Sequence, residues 1–190
     1  MIPGTHLIIS KIINEYIFKT TNFKLDYSSF AYGNIRPDID KRYIKLQHTY
    51  EESINNIISY SYKLMKAKLS LKDFSEGLGV ICHFICDYFC LQHSASYWKK
   101  NKLEHGLYEL ELHTKLIKLT GNRTLNIRYK CKKEENIEIL IMKLRKSYND
   151  EPVSIMRDIT YSIIAGIEVS RIIIYSSKIY EEQLKLLKKR

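Results

Sequence analysis

Apolar side chains recur at helical spacing along most of the chain. Residues 5–19 carry them at positions 7, 8, 12, 13, 16 and 17, which fall on one stripe of a helix. Thr49 and Glu52 form a capping-box pattern that opens a second helix to about residue 68. Ser70 precedes a third helix, which we expect to run to about residue 95. Strictly alternating strand patterns are hard to find, so the pattern predicts an all-α fold.

The pattern also marks where helices end. Residues 20–48 contain Gly33 and Pro37, which disfavour helices, and this segment is therefore predicted to be irregular. A fourth helix is expected over 103–119, before Gly121, followed by a polar and basic loop over 121–133. A fifth helix covers about 134–148, and residues 153–188 predict one long helix or a broken pair. Without repeats or shifts in composition, 190 residues predict one single-domain helical bundle over 1–190.

The net charge and the length of the apolar runs indicate which kinds of partner the chain can bind and whether it can span a membrane. The formal charge of +10 indicates anionic partners such as phosphates, nucleic acid or an acidic lipid surface, although a solvated basic face is the alternative. No run of eighteen uninterrupted apolar residues occurs, and the first residues lack a signal-peptide pattern. These observations predict a cytoplasmic protein without a transmembrane segment, for which peripheral contact with a membrane stays open.

Three of the four cysteines recur at every fourth residue, as Cys82, Cys86 and Cys90. Side chains on one helical stripe run parallel, which disfavours disulfides among them and favours a reducing compartment. They are either small apolar residues packed against a neighbouring helix or a thiolate metal site. Because the stripe lies about 100° around the helix from His83 and Asp87, we expect it to face elsewhere.

Metal-capable side chains form two pairs with helical spacing. His83 and Asp87 lie four residues apart, His105 and Glu109 repeat that spacing, and His93 lies between the pairs. Residues at i and i+4 share one helix face, so each pair can hold one ion from two sides. The segment around the first pair, residues 77–91, is otherwise almost wholly apolar, and polar groups there are costly unless paired or bound to a metal.

Other segments supply further candidates. His6 lies on the first helix and His48 just before the second, while either Asp38 or Asp40 fits in the segment between them. His113 follows Glu109 by four residues and is an alternative to His105. Imidazole and carboxylate are ligands that zinc accepts, and a set this large exceeds what one structural zinc needs. The sequence therefore predicts two or three zinc ions with open positions, as in catalytic sites.

The order of these ligands resembles that of the bacterial zinc-dependent phospholipases C, which share an all-α fold with the fungal zinc-dependent single-strand nucleases. The resemblance runs over residues 4–110. It is carried by His6 in Gly-Thr-His-Leu-Ile-Ile-Ser, Asp38 in Gly-Asn-Ile-Arg-Pro-Asp, His48, His83-x-x-x-Asp87, His93 and His105-x-x-x-Glu109.

The resemblance implies three groups of ligands. The first zinc would be held by Asp38, His48, His83 and Asp87. The second would be held by His93, His105 and Glu109. The third would take His6, share Asp87 as a bridge, and use the N-terminal amine. In the family that amine belongs to a tryptophan more than a dozen residues before the histidine, whereas Met1 lies five residues before His6. The Met1 amine can span that distance, and the expected count stays at two or three zincs.

The resemblance implies phosphoester hydrolysis by zinc-activated water, with Asp38 as the group that binds zinc and orients or deprotonates that water. The first functional hypothesis is phospholipase-C-like cleavage of a phospholipid phosphodiester. A nuclease or nucleotidase acting on nucleic acid is the second, and the basic charge motivates it. The third is a metal-binding relative without catalytic activity.

Overall fold

The computed structural model describes residues 1–40, 43, 47–94, 97, 102–122, 125 and 136–187. These residues form eight α-helices and one short 3-10 turn and contain no strand, which confirms the all-α fold. The helices are α1 Pro3–Thr21, α2 Tyr27–Ile39, α3 Tyr50–Lys66, α4 Leu71–Asp87, α5 Lys102–Gly121, α6 Ile137–Asp150, α7 Ile155–Tyr175 and α8 Lys178–Leu187. The 3-10 turn spans Leu91–His93.

Two helices, α4 and α7, form the centre of the core. Their sequences are apolar on nearly every face, and all but one residue from Phe74 to Asp87 is buried. Helix α4 packs against α1, α2, α3 and α7, while α7 also contacts α1, α3, α5, α6 and α8. A helix that is apolar all round is stable in water only when other helices cover it. The polar residues His83 and Asp87 near the end of α4 therefore lie deep in the core.

The prediction that residues 20–48 are irregular was wrong, because they contain α2. Asp26 caps this helix by accepting a hydrogen bond from the Ser29 backbone N–H at 2.9 Å. Gly33 lies where α2 touches α4: a Cβ atom added there would come 3.0 Å from the Cα of Gly79. Pro37 lies in the last turn, so the hydrogen bond that its missing N–H removes is near the end of the helix and the preceding turns are kept.

The other predicted helix boundaries differ from the observed ones by varying numbers of residues. The third helix ends at Asp87 rather than near residue 95, and the chain then enters the 3-10 turn. Thr49 is the N-cap residue of α3, but its side chain makes no capping hydrogen bond. Residues 153–188 form the broken pair α7 and α8. The predicted loop over 121–133 falls largely outside the described residues.

Among the described helices, none is by itself long and apolar enough to cross a membrane. Ile155–Tyr175 and Lys178–Lys185 meet that length and composition test only as a pair, which is bent by 61° at its break.

Candidate metal centre

The structure brings all eight predicted ligand side chains together. They come from α1, the end of α2, the segment before α3, the end of α4, the 3-10 turn and α5. Six of the eight are buried, and the two that are partly exposed are Asp38 and His105. The ligands are His6, Asp38, His48, His83, Asp87, His93, His105 and Glu109. Segments far apart in the sequence therefore meet at the buried end of α4.

Asp87 lies at the middle of the cluster and is fully buried. Its Oδ1 atom is 3.2 Å from His6 Nε2 and accepts a hydrogen bond from the Met1 amine at 2.7 Å. Its Oδ2 atom is 2.9 Å from His48 Nδ1 and 3.3 Å from His83 Nε2. The two oxygens thus face different sets of side chains, as a bridging carboxylate requires.

The first group of ligands has the spacing of a tetrahedral site. Asp38 Oδ1 is 3.6 Å from His83 Nε2 and 3.9 Å from His48 Nδ1. The two imidazole nitrogens are 3.1 Å apart. Ligand atoms about 2.0–2.1 Å from a zinc ion are separated by about 3.3 Å when the geometry is tetrahedral. His48 Nδ1 and His83 Nε2 lie 2.9 to 3.9 Å from Asp38 Oδ1 and Asp87 Oδ2, and these separations fit zinc.

The orientation of His83 is fixed by the backbone of α2. Its Nδ1 atom lies 2.8 Å from the carbonyl oxygen of Asn34. A carbonyl can only accept, so Nδ1 carries the hydrogen and Nε2 presents its lone pair to the cluster. Burial also holds the pKa of His83 well below its usual value, which favours the neutral ring that metals bind.

The second group of ligands surrounds Glu109. Its Oε1 atom is 2.9 Å from His93 Nε2 and 3.0 Å from His105 Nε2. The Met1 amine lies 3.0 Å from the same oxygen and 2.7 Å from His93 Nε2. The amine therefore lies between the second group and Asp87, within reach of both.

Cys90 also belongs to this part of the molecule, which corrects the prediction that all three cysteines face elsewhere. Its Sγ atom and ligand atoms of His93 and Glu109 all lie within 4.8 Å of one another. Cys82 and Cys86 do face away as predicted and contact α7. Cys90 differs because α4 ends at Asp87, so it does not continue the helical stripe.

His6 supplies the third group. Its ring stacks on His83, with ring centroids 4.0 Å apart. Neither ring nitrogen makes a hydrogen bond among the described residues, although Nε2 is close to Asp87 Oδ1. Buried polar atoms nearly always have a partner, and the missing partner here is consistent with a metal ion between His6 and Asp87.

The cluster contains buried carboxylates whose negative charge favours the binding of cations. Burial alone would raise the pKa of Asp87, but His93, the Met1 ammonium and His83 together lower it well below its usual value. The pKa of Glu109 is likewise lowered, because hydrogen bonds from His105 and His93 outweigh its burial. Burial lowers the pKa of the Met1 amine, yet Asp87 and Glu109 raise it to about 11. Two ionised carboxylates thus lie buried side by side.

The two alternative ligands lie outside the cluster. The Asp40 carboxylate pairs with Arg36, whose Nε atom is 3.0 Å from Oδ2. His113 Nδ1 lies 3.0 Å from the hydroxyl of Thr5. Asp38 and His105, by contrast, lie within 4 Å of other predicted ligands.

A supporting residue from α7, Asp158, was missed in the sequence. Its buried Oδ2 atom accepts hydrogen bonds from the Leu91 backbone N–H at 2.7 Å and from the Tyr108 hydroxyl at 2.8 Å. Leu91 begins the turn that carries His93, and Tyr108 precedes Glu109 on α5. One carboxylate thus holds the two segments that supply the second group, and no local spacing in the sequence indicates this.

Comparison with known proteins gives one match. The family model described as zinc dependent phospholipase C matches residues 5–152. No curated protein and no solved structure matches the chain. The matched range contains all eight predicted ligand side chains and ends just before α7.

Proposed function

Because the chain belongs to the zinc dependent phospholipase C family, whose members are zinc-dependent phosphoesterases, we propose that it hydrolyses a phospholipid phosphodiester at a centre of two or three zinc ions. One observation carries the proposal. The ligand atoms of His48 and His83 lie 3.1 Å from each other and 2.9 to 3.9 Å from those of Asp38 and Asp87, separations that a tetrahedral zinc site accepts. These four residues lie on three separate segments. A chance ion pair needs only two residues and does not bring three segments to one point.

Each group of side chains has a defined part in the proposal. The first zinc is assigned to Asp38, His48, His83 and Asp87, the second to His93, His105 and Glu109, and a third to His6, Asp87 and the Met1 amine. Zinc bound there supplies Lewis-acid stabilisation of phosphate charge and lowers the pKa of water to near neutrality.

Asp38 is the proposed catalytic residue. Its Oδ1 atom faces His48 and His83, while its buried Oδ2 atom has no hydrogen-bond partner among the described residues. That second oxygen is free to orient the attacking water and accept its proton. The side chains of Asp38 and His105 are each 21% exposed, and they mark the side of the centre from which a substrate phosphate approaches.

The test compares Asp38 with its neighbour Asp40. Purified protein with bound zinc is incubated with phospholipid vesicles, and release of the phosphorylated head group is measured. We expect Asp38→Asn to lower the rate by about 10²-fold or more, because it removes both a zinc ligand and the proton acceptor. Asp40→Asn, at a carboxylate that pairs with Arg36 and is not one of the proposed ligands, keeps the rate. No release from fully zinc-loaded wild type, or equal rates in both variants, contradicts the proposal.

The two other hypotheses are tested by incubating the same zinc-loaded protein with nucleic acid beside the phospholipid vesicles. Cleavage of single-stranded DNA or RNA at low salt, without release from lipid, identifies a nuclease or nucleotidase. Only the charge of +10 favours it, and the basic stretch 126–130 lies outside the described residues. Zinc binding with neither activity identifies the relative without catalytic activity.

We further propose that α5 carries the contact with the lipid surface. Leu103, Leu107 and Leu110 lie on one face of this helix and are 72%, 57% and 55% exposed. The same helix supplies His105 and Glu109 from its opposite side, so contact of the leucine face with lipid would hold α5, and the centre with it, at the membrane surface. The net charge favours an anionic surface.

Sedimentation with anionic vesicles tests this contact. Leu107→Asp is expected to weaken binding at least tenfold, since it places a charge in the apolar face. Met142→Asp on α6, where Met142 is 58% exposed, is the matched control and leaves binding unchanged. Equal binding by both variants would remove α5 from the proposal.

A further inference from the structure

Cys90 lies in a different environment from the other described cysteines. Cys82 Sγ is 3.1 Å from the Ser170 hydroxyl, and Cys86 Sγ is 3.5 Å from the Ser162 carbonyl, so both make ordinary packing contacts with α7. The backbone at Cys90 is extended, with φ −111° and ψ 126°, and follows the end of α4. Its thiol is 2% exposed and has an imidazole and a carboxylate nearby.

Two neighbours of this thiol are predicted ligands of the second zinc group. Sγ of Cys90 and ligand atoms of His93 and Glu109 lie within 4.8 Å of one another, and all three residues are buried. Zinc binds sulfur at about 2.3 Å and imidazole or carboxylate at about 2.0–2.2 Å. Three donors at these separations can therefore bind one ion after small movements of their side chains.

We propose that Cys90 is a fourth protein ligand of the second zinc, together with His93, His105 and Glu109. When the ion binds, the S–H bond breaks, the sulfur forms a bond to zinc, and the proton passes to solvent. The proposal rests on the proposed function only in that a zinc ion binds this group. It does not depend on which phosphoester is cut.

With four protein ligands, the second zinc is expected to have a structural role and not a catalytic one. A zinc with four protein ligands is closed, as in structural sites, whereas a catalytic zinc keeps an open position. A thiolate also retains zinc more strongly than a water molecule in the same place. The second zinc then fixes the turn at Leu91–His93 against α5, and turnover takes place at the group that contains Asp38.

Cobalt substitution tests the ligand directly. Protein stripped of metal by chelator is refilled with Co²⁺, and its absorption spectrum is recorded together with the cobalt content. A thiolate bound to cobalt gives a near-ultraviolet charge-transfer band that nitrogen and oxygen ligands do not give. We expect the band in wild type, its loss in Cys90→Ser, and its retention in Cys82→Ser and in Cys131→Ser.

A chelator challenge of the zinc protein gives the second readout. One zinc per chain is expected to leave at least tenfold more slowly than the rest in wild type, and at the common rate in Cys90→Ser. If Cys90→Ser fails to fold, a variant that retains only Cys90 of the four cysteines replaces it, and the band is expected to persist there.

The outcomes separate this inference from the proposed function. Cobalt binding without the band, or a band that survives in Cys90→Ser, overturns the ligand role of Cys90 and leaves phosphoester hydrolysis standing. Absence of any bound metal overturns both. A band without phospholipid hydrolysis supports Cys90 and contradicts the proposed function alone.

Discussion

Asp87 is the residue on which the centre most depends, because its two oxygens serve different groups. Oδ1 faces His6 and the Met1 amine, and Oδ2 faces His48 and His83. An amide in its place keeps the shape but loses the charge and one acceptor. We therefore predict that Asp87→Asn loses the zinc of both the first and the third group.

Elemental analysis of protein purified without chelator checks this prediction. Asp87→Asn is expected to retain only the zinc of the second group, while Asp38→Asn loses one zinc at most. Asp40→Asn serves as the control and keeps the wild-type content. A full complement of zinc in Asp87→Asn would show that this carboxylate is not a bridge.

The thiol of Cys82 gives a second prediction at this scale. Burial raises its pKa to about 12, and it is fully buried against α7. A buried, protonated thiol is a poor nucleophile. In a Cys131→Ser background, Cys82 is expected to resist alkylation at pH 8 until denaturant unfolds the chain, as followed by mass spectrometry of labelled peptides. Rapid labelling of Cys82 in native protein would mean that α4 and α7 separate readily.

Single residues were predictable where the signal was local. The pairs His83–Asp87 and His105–Glu109 follow from the helical period alone, so their convergence needed no tertiary information. Cys90 was assigned to the wrong face, since its direction depends on where α4 ends. The Asn34 carbonyl that orients His83 belongs to the backbone, and its contact depends on how α2 packs against α4.

At the scale of elements, the centre depends on close contact between α2 and α4. A Cβ on Gly33 would lie 3.0 Å from the Gly79 Cα, and one on Gly79 would lie 2.9 Å from the Gly33 Cα. These helices carry Asp38, His83 and Asp87, so a change in their separation also moves ligands of the first zinc.

Alanine substitutions at three glycines test this contact. Gly33→Ala and Gly79→Ala are each expected to lower the free energy of unfolding by about 1–3 kcal/mol through overpacking, and to weaken zinc binding. Gly106→Ala on α5 is the control, because a Cβ there meets nothing within 4 Å. It is expected to raise stability by roughly 0.5–1 kcal/mol. Denaturant unfolding gives all three values, and unchanged stability in Gly33→Ala would contradict the argument.

Helix α2 is the element that the local sequence pattern did not predict. Gly33 and Pro37 are local helix breakers, and a reading of local preferences predicts no helix there. The structure shows that one is the contact point with α4 and that the other lies in the last turn. Tertiary packing overrode propensity in this segment, whereas α1, α3, α5, α6 and α7 lie close to the positions that their apolar periodicity predicts, and α4 begins where predicted but ends earlier.

At the scale of the whole molecule, α7 connects the core to the metal centre although it lies beyond the family match at residues 5–152. Asp158 accepts hydrogen bonds from Leu91 and Tyr108 through Oδ2 and from the Tyr148 hydroxyl through Oδ1 at 2.7 Å. A buried carboxylate with this many donors stabilises the segments around it only while it is charged and complete.

Asp158→Asn is therefore predicted to act at a distance. It is expected to lower the free energy of unfolding by about 3–5 kcal/mol, because buried donors lose a charged acceptor. It is also expected to speed the loss of the second zinc without altering the ligands themselves. Chelator-challenge kinetics measure this, with Glu168→Gln on the same helix as the control. If both variants release zinc at the wild-type rate, α7 does not support the centre.

Zinc removal couples the centre to the stability of the whole chain. The proposed ligands come from four helices, the 3-10 turn and the segment before α3, so an ion that binds only the folded state stabilises all of them together. At free zinc about a thousandfold above Kd, one site adds roughly 4 kcal/mol. For a chain of 190 residues we therefore expect Tm to rise by roughly 8–16 °C per site at pH 7.5.

The pH dependence of this effect follows from the buried histidines. Burial lowers the pKa of His93 to about 4, from an ordinary value of 6.5, and lowers that of His83 as well. Between about pH 4 and 6.5 the unfolded chain thus binds more protons than the folded one, and the stability of the zinc-free protein falls as the pH falls through this window. Zinc needs the same neutral rings, and burial keeps that of His93 neutral in the folded chain down to about pH 4 and favours the neutral ring of His83, so zinc keeps its contribution at pH 5. Differential scanning calorimetry at pH 7.5 and pH 5, with and without zinc, is expected to show a lower Tm of the zinc-free protein at pH 5 and a rise in Tm on zinc addition at both pH values. Loss of that rise at pH 5 would mean that these rings take up protons in the folded chain well above pH 4.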